Sequence, residues 1–502
     1  MEPVALDETL DVRGAGRRIF LAQVAATGAA AAAPVQAQSP DSERSWSTLA
    51  RGQLGVAETL ARYAVNLKYE ELPPEVVHTA KRIVLDTFGC ALGGYSSGPA
   101  QIAVELAGEI TTRKPATVLC SGIKTSADLA TFANGVAIRY LDFNDGFISV
   151  GNGHPSDSIA ALLPAAELGG RSGRDLIMAT VLAYEVFCKV NDVLDIRGIG
   201  LDSSTIAGLA ACVGAGRLSG LTEQQMVTAI GIFVGGNIAI NQGRVGTLSN
   251  WKSYGSAESC RKAMFAVRLA QSGMTGPAQV FEGRDGFFNV ISHKPFTLPP
   301  LGAPYGIMHA FLKRFALGQY AQTVAQAALE SRQYFKDVSE IEAINIRVSR
   351  SAIKVMADSP DKWRPQTHET ADHSMPYSAG VAMIYGRIDP VYYEDPYLHD
   401  ARLLDLVSRV KCIPSAEADR VEQEYNLCDL ELVFKSDQRK TVRVDYHRGH
   451  WKNPMTDAEM EEKLRLLARG QLAAQKTDAL LRQLWALEDL PQAGALVEMT
   501  RV

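Results

Sequence analysis

Apolar residues in the first half of the chain recur at every third or fourth position. The pattern is clear in "VVHTAKRIVLDTFGCALGG" and "DLIMATVLAYEVFCKVNDVL", whose apolar side chains would share one face of a helix. An uncharged run at residues 226–241, interrupted by glycines, is predicted to be a buried core helix. The segment from about Ser47 to Ser272 is therefore predicted to be mainly helical.

The second half of the chain changes to a two-residue alternation that is typical of half-buried strands. Apolar residues alternate with polar ones between Ile344 and Val348, and again in "DLELVFKSDQRKTVRVDY", which predicts a hairpin from about Cys428 to Tyr446. Thr456 and Glu459 then form a possible capping box before another helical pattern. The pattern predicts a helical part, an α+β insert and a helical end.

The amino terminus has the layout of a bacterial export signal. Arg17 and Arg18 precede a weakly apolar, alanine-rich run that ends in Val35-Gln36-Ala37. This stretch is similar to twin-arginine signals, so we expect a signal peptide at residues 1–37, a linker at 38–46 and a periplasmic or exported protein. If the segment is only an alanine-rich tail, the protein would be cytoplasmic.

Composition excludes several classes of partner. The 502 residues are 46% hydrophobic and carry a formal charge of −5, with no basic stripe that would attract nucleic acid or an anionic membrane. No run after the signal reaches the roughly 18 apolar residues of a spanning helix, so no stable membrane association is expected. The seven cysteines are scattered and never form C-x-x-C, which disfavours a zinc or iron–sulfur cage.

A polar segment, "LDFNDGFISVGNGHPSDSI" at residues 141–159, joins two apolar helix-like runs. Asp142 ends the first run, and His154 opens the second, with Ser156 or Asp157 as its predicted cap. A helix amino terminus has unpaired N–H groups, so this segment could hold a substrate carboxylate beside a histidine. The alternative is a capped turn with a hydrogen-bonded histidine.

Two further stretches carry candidate residues. "NQGRVGTLSNWKSYGSAESCRKAMF" brings Arg244, Lys252 and Tyr254 to the start of a helix, where the cations either clamp carboxylates or are solvated. "HETADHSMPYSAGVAMIYG" places Asp372 and His373 before an apolar helix, a setting in which a histidine is more often structural. The usual motifs of nucleotide-binding proteins, zinc proteases and α/β-hydrolases do not occur.

Several motifs taken in order resemble the MmgE/PrpD family, which includes 2-methylcitrate dehydratases and cis-aconitate decarboxylases. They are "LDFND…HPSD", the Trp251-Lys252 helix start, "GMTGP…FEGRDGFF", "DKWRPQTHETADHSMPY" and "RGHWKNPMTDAEMEEK". The resemblance covers about Leu54 to Leu467. It implies a mainly α fold, with a large all-helical domain formed by both ends of the chain (47–305 and 446–502) and an inserted, smaller α+β lid domain (306–445).

The resemblance also implies a function and a set of site residues. We expect a homodimeric lyase without metal or organic cofactor that dehydrates a 2-methylcitrate-like hydroxy-polycarboxylic acid. Asp142, His154 and Lys252 are the expected catalytic residues, with His154 as acid/base, Asp142 as its partner and Lys252 as a counter-charge for a substrate carboxylate. The expected substrate-binding residues are Asp202, Arg244 and Tyr254.

Three departures from the family pattern keep other reactions open. Asp202 is followed by two serines where the family commonly has a histidine nearby, the region of Gly318 lacks the acid or histidine often found there, and Gly146-Phe147 replaces the Thr-Trp of dehydratases. The alternatives are decarboxylation of a cis-aconitate-like acid, epimerisation of a small dicarboxylate, or non-catalytic binding of an organic acid.

Overall fold

Helices occur along most of the chain, near both of its ends and between them. A computed structural model of the protein describes residues 53–502, so the predicted signal (1–37) and linker (38–46) lie outside the described residues. Before residue 300 the helices are α1 Val56–Asn66, α2 Pro74–Gly94, α3 Gly98–Gly108, α4 Ala127–Arg139, α5 Ile159–Leu168, α6 Gly173–Asn191, α7 Ser204–Leu218, α8 Glu223–Gly236, α9 Trp251–Gln271 and α10 Phe287–Val290.

The remaining helices begin after residue 320. They are α11 Gln322–Ser331, α12 Arg350–Met356, α13 His368–Ala371, α14 Met375–Tyr385, α15 Ala401–Ser408, α16 Ala416–Val421, α17 Asp457–Ala468, α18 Ala474–Trp485 and α19 Ala495–Met499. The mainly α class predicted from the sequence is confirmed.

The strands form one four-stranded sheet and two short ribbons. The strands are β1 Ala116–Thr117, β2 Lys124–Thr125, β3 Phe147–Ile148, β4 Asn152–Gly153, β5 Ile341–Val348, β6 Val410–Pro414, β7 Cys428–Phe434 and β8 Arg439–Val444. The large sheet has the order β6-β5-β7-β8, in which β5 runs parallel to β6 and antiparallel to β7. The predicted strand and hairpin are both present, and the hairpin's second strand ends at Val444.

The buried apolar side chains form two main clusters. The larger cluster takes residues between Val56 and Ile307 and again between Met455 and Val497. The smaller cluster takes residues between Phe315 and Val444, which pack on the four-stranded sheet. Both chain ends therefore share one core, while the predicted boundaries at 305/306 and 445/446 remain predictions.

The carboxyl-terminal helix α17 begins at the predicted capping box and reaches back into the first part of the chain. Thr456 N–H donates to the Glu459 carboxylate (2.7 Å), and the Glu459 N–H donates to Thr456 Oγ1 (3.2 Å). Lys463 then donates to the backbone carbonyls of Phe143 (2.7 Å) and Lys313 (2.8 Å). Its ammonium also pairs with buried Asp86 on α2 (2.7 Å). One lysine thus fixes the backbone of two segments that carry site residues.

The predicted core helix at residues 226–241 is shorter than its apolar run. Helix α8 ends at Gly236, and the apolar side chains beyond it are exposed, with Ile240 at 68%. Two consecutive glycines weaken the helix at this point, and the chain continues in an extended conformation at Asn237.

Between residues 53 and 502 no helix combines the length and apolarity needed to cross a bilayer. All seven cysteines are free thiols, and all except the half-buried Cys412 are buried, as expected for small apolar core residues.

Candidate active site

Asp142 lies at the centre of a buried cluster of charged groups. It follows the end of α4 with φ at 47°, a left-handed conformation that non-glycine residues adopt only at a cost of about 1–3 kcal/mol. Lys313 Nζ holds it there by donating to the carboxylate Oδ1 (2.6 Å) and to the backbone carbonyl (2.8 Å). Arg139, on the last turn of α4, pairs with the same Oδ1. The strained loop is therefore fixed by two cations.

These cations keep Asp142 ionised. Burial would raise the pKa of its carboxyl, but the charges of Arg139 and Lys313 outweigh that effect and hold the pKa well below its usual value. For Lys313, burial dominates and lowers the pKa to about 8. An ammonium group with a pKa near neutrality, as Lys313 has, is suited to proton donation.

His154 presents one free ring nitrogen to this cluster. Its Nδ1 lies 2.6 Å from the backbone carbonyl oxygen of Asp145, which can only accept, so Nδ1 carries the proton. Nε2 lies 3.8 Å from Asp142 Oδ1. Burial, with the nearby charges of Arg139 and Lys313, lowers the pKa of His154 well below its usual value. The ring is therefore neutral near pH 7, and Nε2 is an available base.

A second set of groups joins the cluster from α9 and the α13–α14 connection. Lys252, on the first turn of α9, forms a buried ion pair with Asp372. The other oxygen of Asp372 lies 2.7 Å from His373 Nδ1, and His373 Nε2 lies 3.2 Å from Asp142 Oδ2. Asp372 and His373 therefore belong to the cluster, although the sequence favoured a structural role for them.

The pKa values of this second set follow from burial and charge. Burial opposes ionisation of Asp372, but Lys252 and His373 outweigh it and lower the pKa of its carboxyl to about 2. For His373, burial and the charge of Lys252 lower the pKa to about 4. Near pH 7 the carboxylate is charged and the imidazole is neutral.

Residues that follow Asp142 form hydrogen bonds that hold the backbone around His154 in place. The Asp145 carboxylate accepts from Ser156 Oγ (2.6 Å) and from the Tyr184 hydroxyl (2.5 Å), and burial raises its pKa to about 7. Asn144 Nδ2 donates to both Ser156 Oγ and Asp157 Oδ1, at 2.9 Å each. These bonds hold the two halves of the segment 141–159 together.

The predicted cap at Ser156 or Asp157 is wrong. Neither the turn at Pro155–Ser158 nor α5 has a side-chain cap, and Asp157 is instead buried, with an oxygen 3.8 Å from Arg139 Nε. Its carboxylate accepts a hydrogen bond from Asn144 Nδ2 (2.9 Å). It belongs to the polar network around His154.

The three predicted substrate-binding residues lie apart from Asp142. Asp202 and Arg244 form an ion pair (2.8 Å) on a cavity of about 270 Å³ that Trp251 and Lys262 also line. The charge of Arg244 also acts on Asp157, which places this pair beside the polar network. Tyr254 points elsewhere, because its hydroxyl donates to the Pro99 carbonyl (2.7 Å). The structure does not bring Tyr254 to the cluster.

The Asp142, Asp372 and His373 side chains are close enough to be tested as metal ligands. Their ligand atoms lie within 4.8 Å of one another. However, Lys313 and Lys252 already pair with the two carboxylates, and Arg139 adds a third positive charge. A divalent cation would meet these charges at close range, so the donor set fits a polycarboxylate anion better than a metal.

Gly146 lies directly against the ring of Phe311. Gly146 exchanges backbone hydrogen bonds with Phe311 (2.8 and 2.9 Å), and a Cβ at Gly146 would come within 2.4 Å of the Phe311 ring. The aromatic ring therefore leaves no room for a side chain at position 146.

Sequence reasoning missed Arg139 and Lys313. Arg139 lies three residues before Asp142, a spacing that permits contact at a helix end, and this signal was present in "IRYLD". Lys313 is 171 residues from Asp142 in sequence, so no local pattern connects the two.

Comparison with known proteins identifies the family. Residues 58–298 match the model of the MmgE/PrpD N-terminal domain, and residues 315–487 match that of the MmgE/PrpD C-terminal domain. The chain belongs to the MmgE/PrpD family. Among relatives of this MmgE/PrpD protein, the mitochondrial 2-methylcitrate dehydratase of Yarrowia lipolytica is 24% identical over 433 residues, covering 79% of this chain and 80% of the relative.

Two further relatives are a second 2-methylcitrate dehydratase and a cis-aconitate decarboxylase. The 2-methylcitrate dehydratase of Escherichia coli K12 is 25% identical over 418 residues, covering 76% of this chain and 84% of the relative. The human cis-aconitate decarboxylase is 24% identical over 462 residues, covering 89% of this chain and 94% of the relative. This MmgE/PrpD chain thus resembles enzymes of two reaction types.

The buried Lys252–Asp372 pair yields a prediction on stability. Lys252→Met leaves Asp372 as a buried charge without its cation, so we expect a loss of about 3–5 kcal/mol in the free energy of unfolding. The double variant Lys252→Met/Asp372→Asn should lose less than Lys252→Met alone. Urea unfolding measures these two variants and the single variant Asp372→Asn, and a double variant that loses the sum of the two single effects would contradict the pairing.

Proposed function

We propose that this protein is a carbon–oxygen lyase that dehydrates a hydroxy-polycarboxylic acid of the 2-methylcitrate type without a metal or organic cofactor. The 2-methylcitrate dehydratases among its relatives support the reaction. The observation that carries the proposal is the neutral His154, whose free Nε2 lies beside Asp142 in a cluster that also contains Lys313. The cluster supplies a base and an acid within one buried site.

The first step is removal of the proton α to a carboxylate. That proton is weakly acidic, so it needs a base, and the developing enolate needs positive charge close by. His154 Nε2 takes the proton, while Lys252 and Arg139 stabilise the charge that accumulates on the carboxylate oxygens. Lys252 and Arg139 are each 1% exposed, so their charges act with little screening by water.

The second step expels the β-hydroxyl. The carbon–oxygen bond breaks, the electron pair of the broken C–H bond forms the new C=C bond, and Lys313 gives its proton to the departing oxygen to form water. The products are an unsaturated polycarboxylate and water. His154 then holds one extra proton and Lys313 lacks one, and both groups contact the same Asp142 oxygen, Oδ1.

A direct assay tests the proposal. Purified protein is incubated with 2-methylcitrate, citrate and cis-aconitate while alkene absorbance and CO₂ release are followed, with and without EDTA. We expect absorbance to rise with 2-methylcitrate, no CO₂ release, and no effect of EDTA. CO₂ release from cis-aconitate would instead establish a decarboxylase, and ligand-induced thermal stabilisation without turnover would establish a binder.

We further propose that the protein is exported and assembles as a homodimer. Export is supported by Arg17, Arg18 and the Val35-Gln36-Ala37 site. The dimer is supported by family resemblance and by the exposed Ile102 and Leu106, which share one face of α3 at 51% and 48% exposure.

Processing of the amino terminus has a simple readout. Cleavage after Ala37 leaves a chain that begins at Gln38. Intact-mass analysis of the protein from its native host should show this species outside the cytoplasm. A full-length cytoplasmic chain would refute export.

A further inference from the structure

A row of alternating carboxylates and imidazoles runs from the protein surface to Asp142. Glu394, whose side chain is 53% exposed, lies 2.8 Å from Nδ1 of the buried His368. His368 Nε2 lies 3.7 Å from Asp372 Oδ2. From Asp372 the row continues through His373 to Asp142, at 2.7 and 3.2 Å. Glu394 is the most exposed member of the row, while the side chain of His373, next to Asp142, is 11% exposed.

The two longest contacts in this row, His368–Asp372 and His373–Asp142, each involve an atom that lacks a hydrogen-bond partner. Among the described residues, His368 Nε2 and Asp142 Oδ2 are buried polar atoms with no hydrogen bond. Each faces a neighbour in the row that also offers a lone pair, across 3.7 and 3.2 Å respectively. An added proton would make one partner a donor at either place. At 3.2 Å this forms a hydrogen bond, whereas at 3.7 Å the two atoms must also come closer.

We propose that Glu394, His368, Asp372, His373 and Asp142 form a path along which protons pass between solvent and the buried site. The inference rests on the proposed function, in which His154 and Lys313 exchange protons with substrate. Asp142 and Lys313 are each 0% exposed, so protons reach these two residues through neighbouring groups rather than from bulk water directly. The path connects Asp142 and Lys313 to solvent.

The proton balance closes over one catalytic cycle. Outward, His154 passes the proton taken from substrate to Asp142. His373 accepts it at Nε2 and releases its Nδ1 proton to Asp372, and His368 accepts that proton and releases its own to Glu394 and solvent. Inward, the same path returns one proton to Lys313 through Asp142. One proton leaves and one enters, and no electron moves.

The carboxylates and imidazoles have different tasks in the path. Asp372 and Asp142 stay ionised and hold the imidazoles in place by charge, carrying a proton only in passing. His373 is neutral, so it can accept a proton at one nitrogen while releasing one from the other.

Isotope exchange in D₂O tests the path during turnover. In wild-type protein the proton taken from substrate should exchange with solvent, so unreacted 2-methylcitrate recovered by mass spectrometry should carry deuterium at carbon α. His368→Ala should lower this wash-in relative to turnover by at least about tenfold, with KM unchanged. His399→Gln is the matched control, because His399 also pairs with a carboxylate, Asp395 (3.3 Å), but is exposed and outside the row.

Small ring compounds separate proton transfer from structural support. Imidazole fits the space left in His368→Ala and carries protons, so it should restore the wash-in. Pyrazole has a similar size but is a much weaker base, so it should not. Equal rescue by both compounds, or wild-type wash-in in His368→Ala, would overturn the path. Turnover by the wild-type protein without any wash-in would also overturn it, while leaving the proposed function intact.

A substrate-free measurement keeps the two proposals separate. In protein labelled with ¹⁵N-histidine, exchange of the His373 ring N–H with solvent should slow by about tenfold or more in His368→Ala, and Glu394→Gln should slow it less, because its amide still contacts His368. Unchanged exchange in both variants would refute the path. This result does not depend on whether 2-methylcitrate is the substrate.

Discussion

Replacing His154 by glutamine should lower kcat by about 10²–10⁴-fold while KM changes little. Glutamine keeps much of the size and hydrogen bonding of the imidazole, so the bond to the Asp145 carbonyl can persist and substrate can still dock. It has no basic nitrogen to take the proton α to the carboxylate. Steady-state kinetics with 2-methylcitrate measures both constants.

The control for this variant is His78→Gln. His78 is 46% exposed, pairs with Asp457 (3.1 Å) and stacks on Trp485, so its loss should leave kcat unchanged. Thermal unfolding of both variants checks that the fold is kept. Near-normal turnover of His154→Gln would mean that the segment 141–159 is a well-ordered polar turn without a catalytic role.

The helices and strands could be predicted because their signals are local. The alternation between Ile344 and Val348 and the box at Thr456 and Glu459 each involve residues within a few positions of one another, and both are present in the structure. The carboxyl end of α8 was misplaced because apolar character continues past Gly236, where the helix stops. At this point the two consecutive glycines end the helix although the apolar run continues.

The candidate site could be predicted only in part. Asp142 and His154 share one short polar segment, and the sequence pointed to both. Arg139 is a local partner of Asp142, but other partners come from distant segments: Lys313 bonds to Asp142 across 171 residues, and Lys252 bonds to Asp372 across 120. The sequence does not distinguish a buried lysine from a solvated one, so neither the burial nor the pKa of a lysine can be predicted from the pattern.

Lys313 should control how activity falls at alkaline pH. Burial lowers its pKa from the usual 10.5 to about 8, so the protonated form that donates to the leaving hydroxyl predominates below about pH 8 and is lost above it. We therefore expect kcat of the wild-type protein to decrease as pH rises through about 8. A pH–rate profile between pH 6 and 10, run with a stability check at each pH, measures this limb.

The variant Lys313→Arg separates the charge of Lys313 from its proton. Arginine keeps a cation next to Asp142 but stays protonated throughout this range, so it cannot deliver a proton to the hydroxyl. We expect kcat to fall by about 10²-fold or more and the alkaline limb near pH 8 to disappear, while substrate affinity falls less because the positive charge remains. An unchanged limb in Lys313→Arg would assign the titration to another group, and the proton that completes the water molecule would then have to come from elsewhere in the cluster.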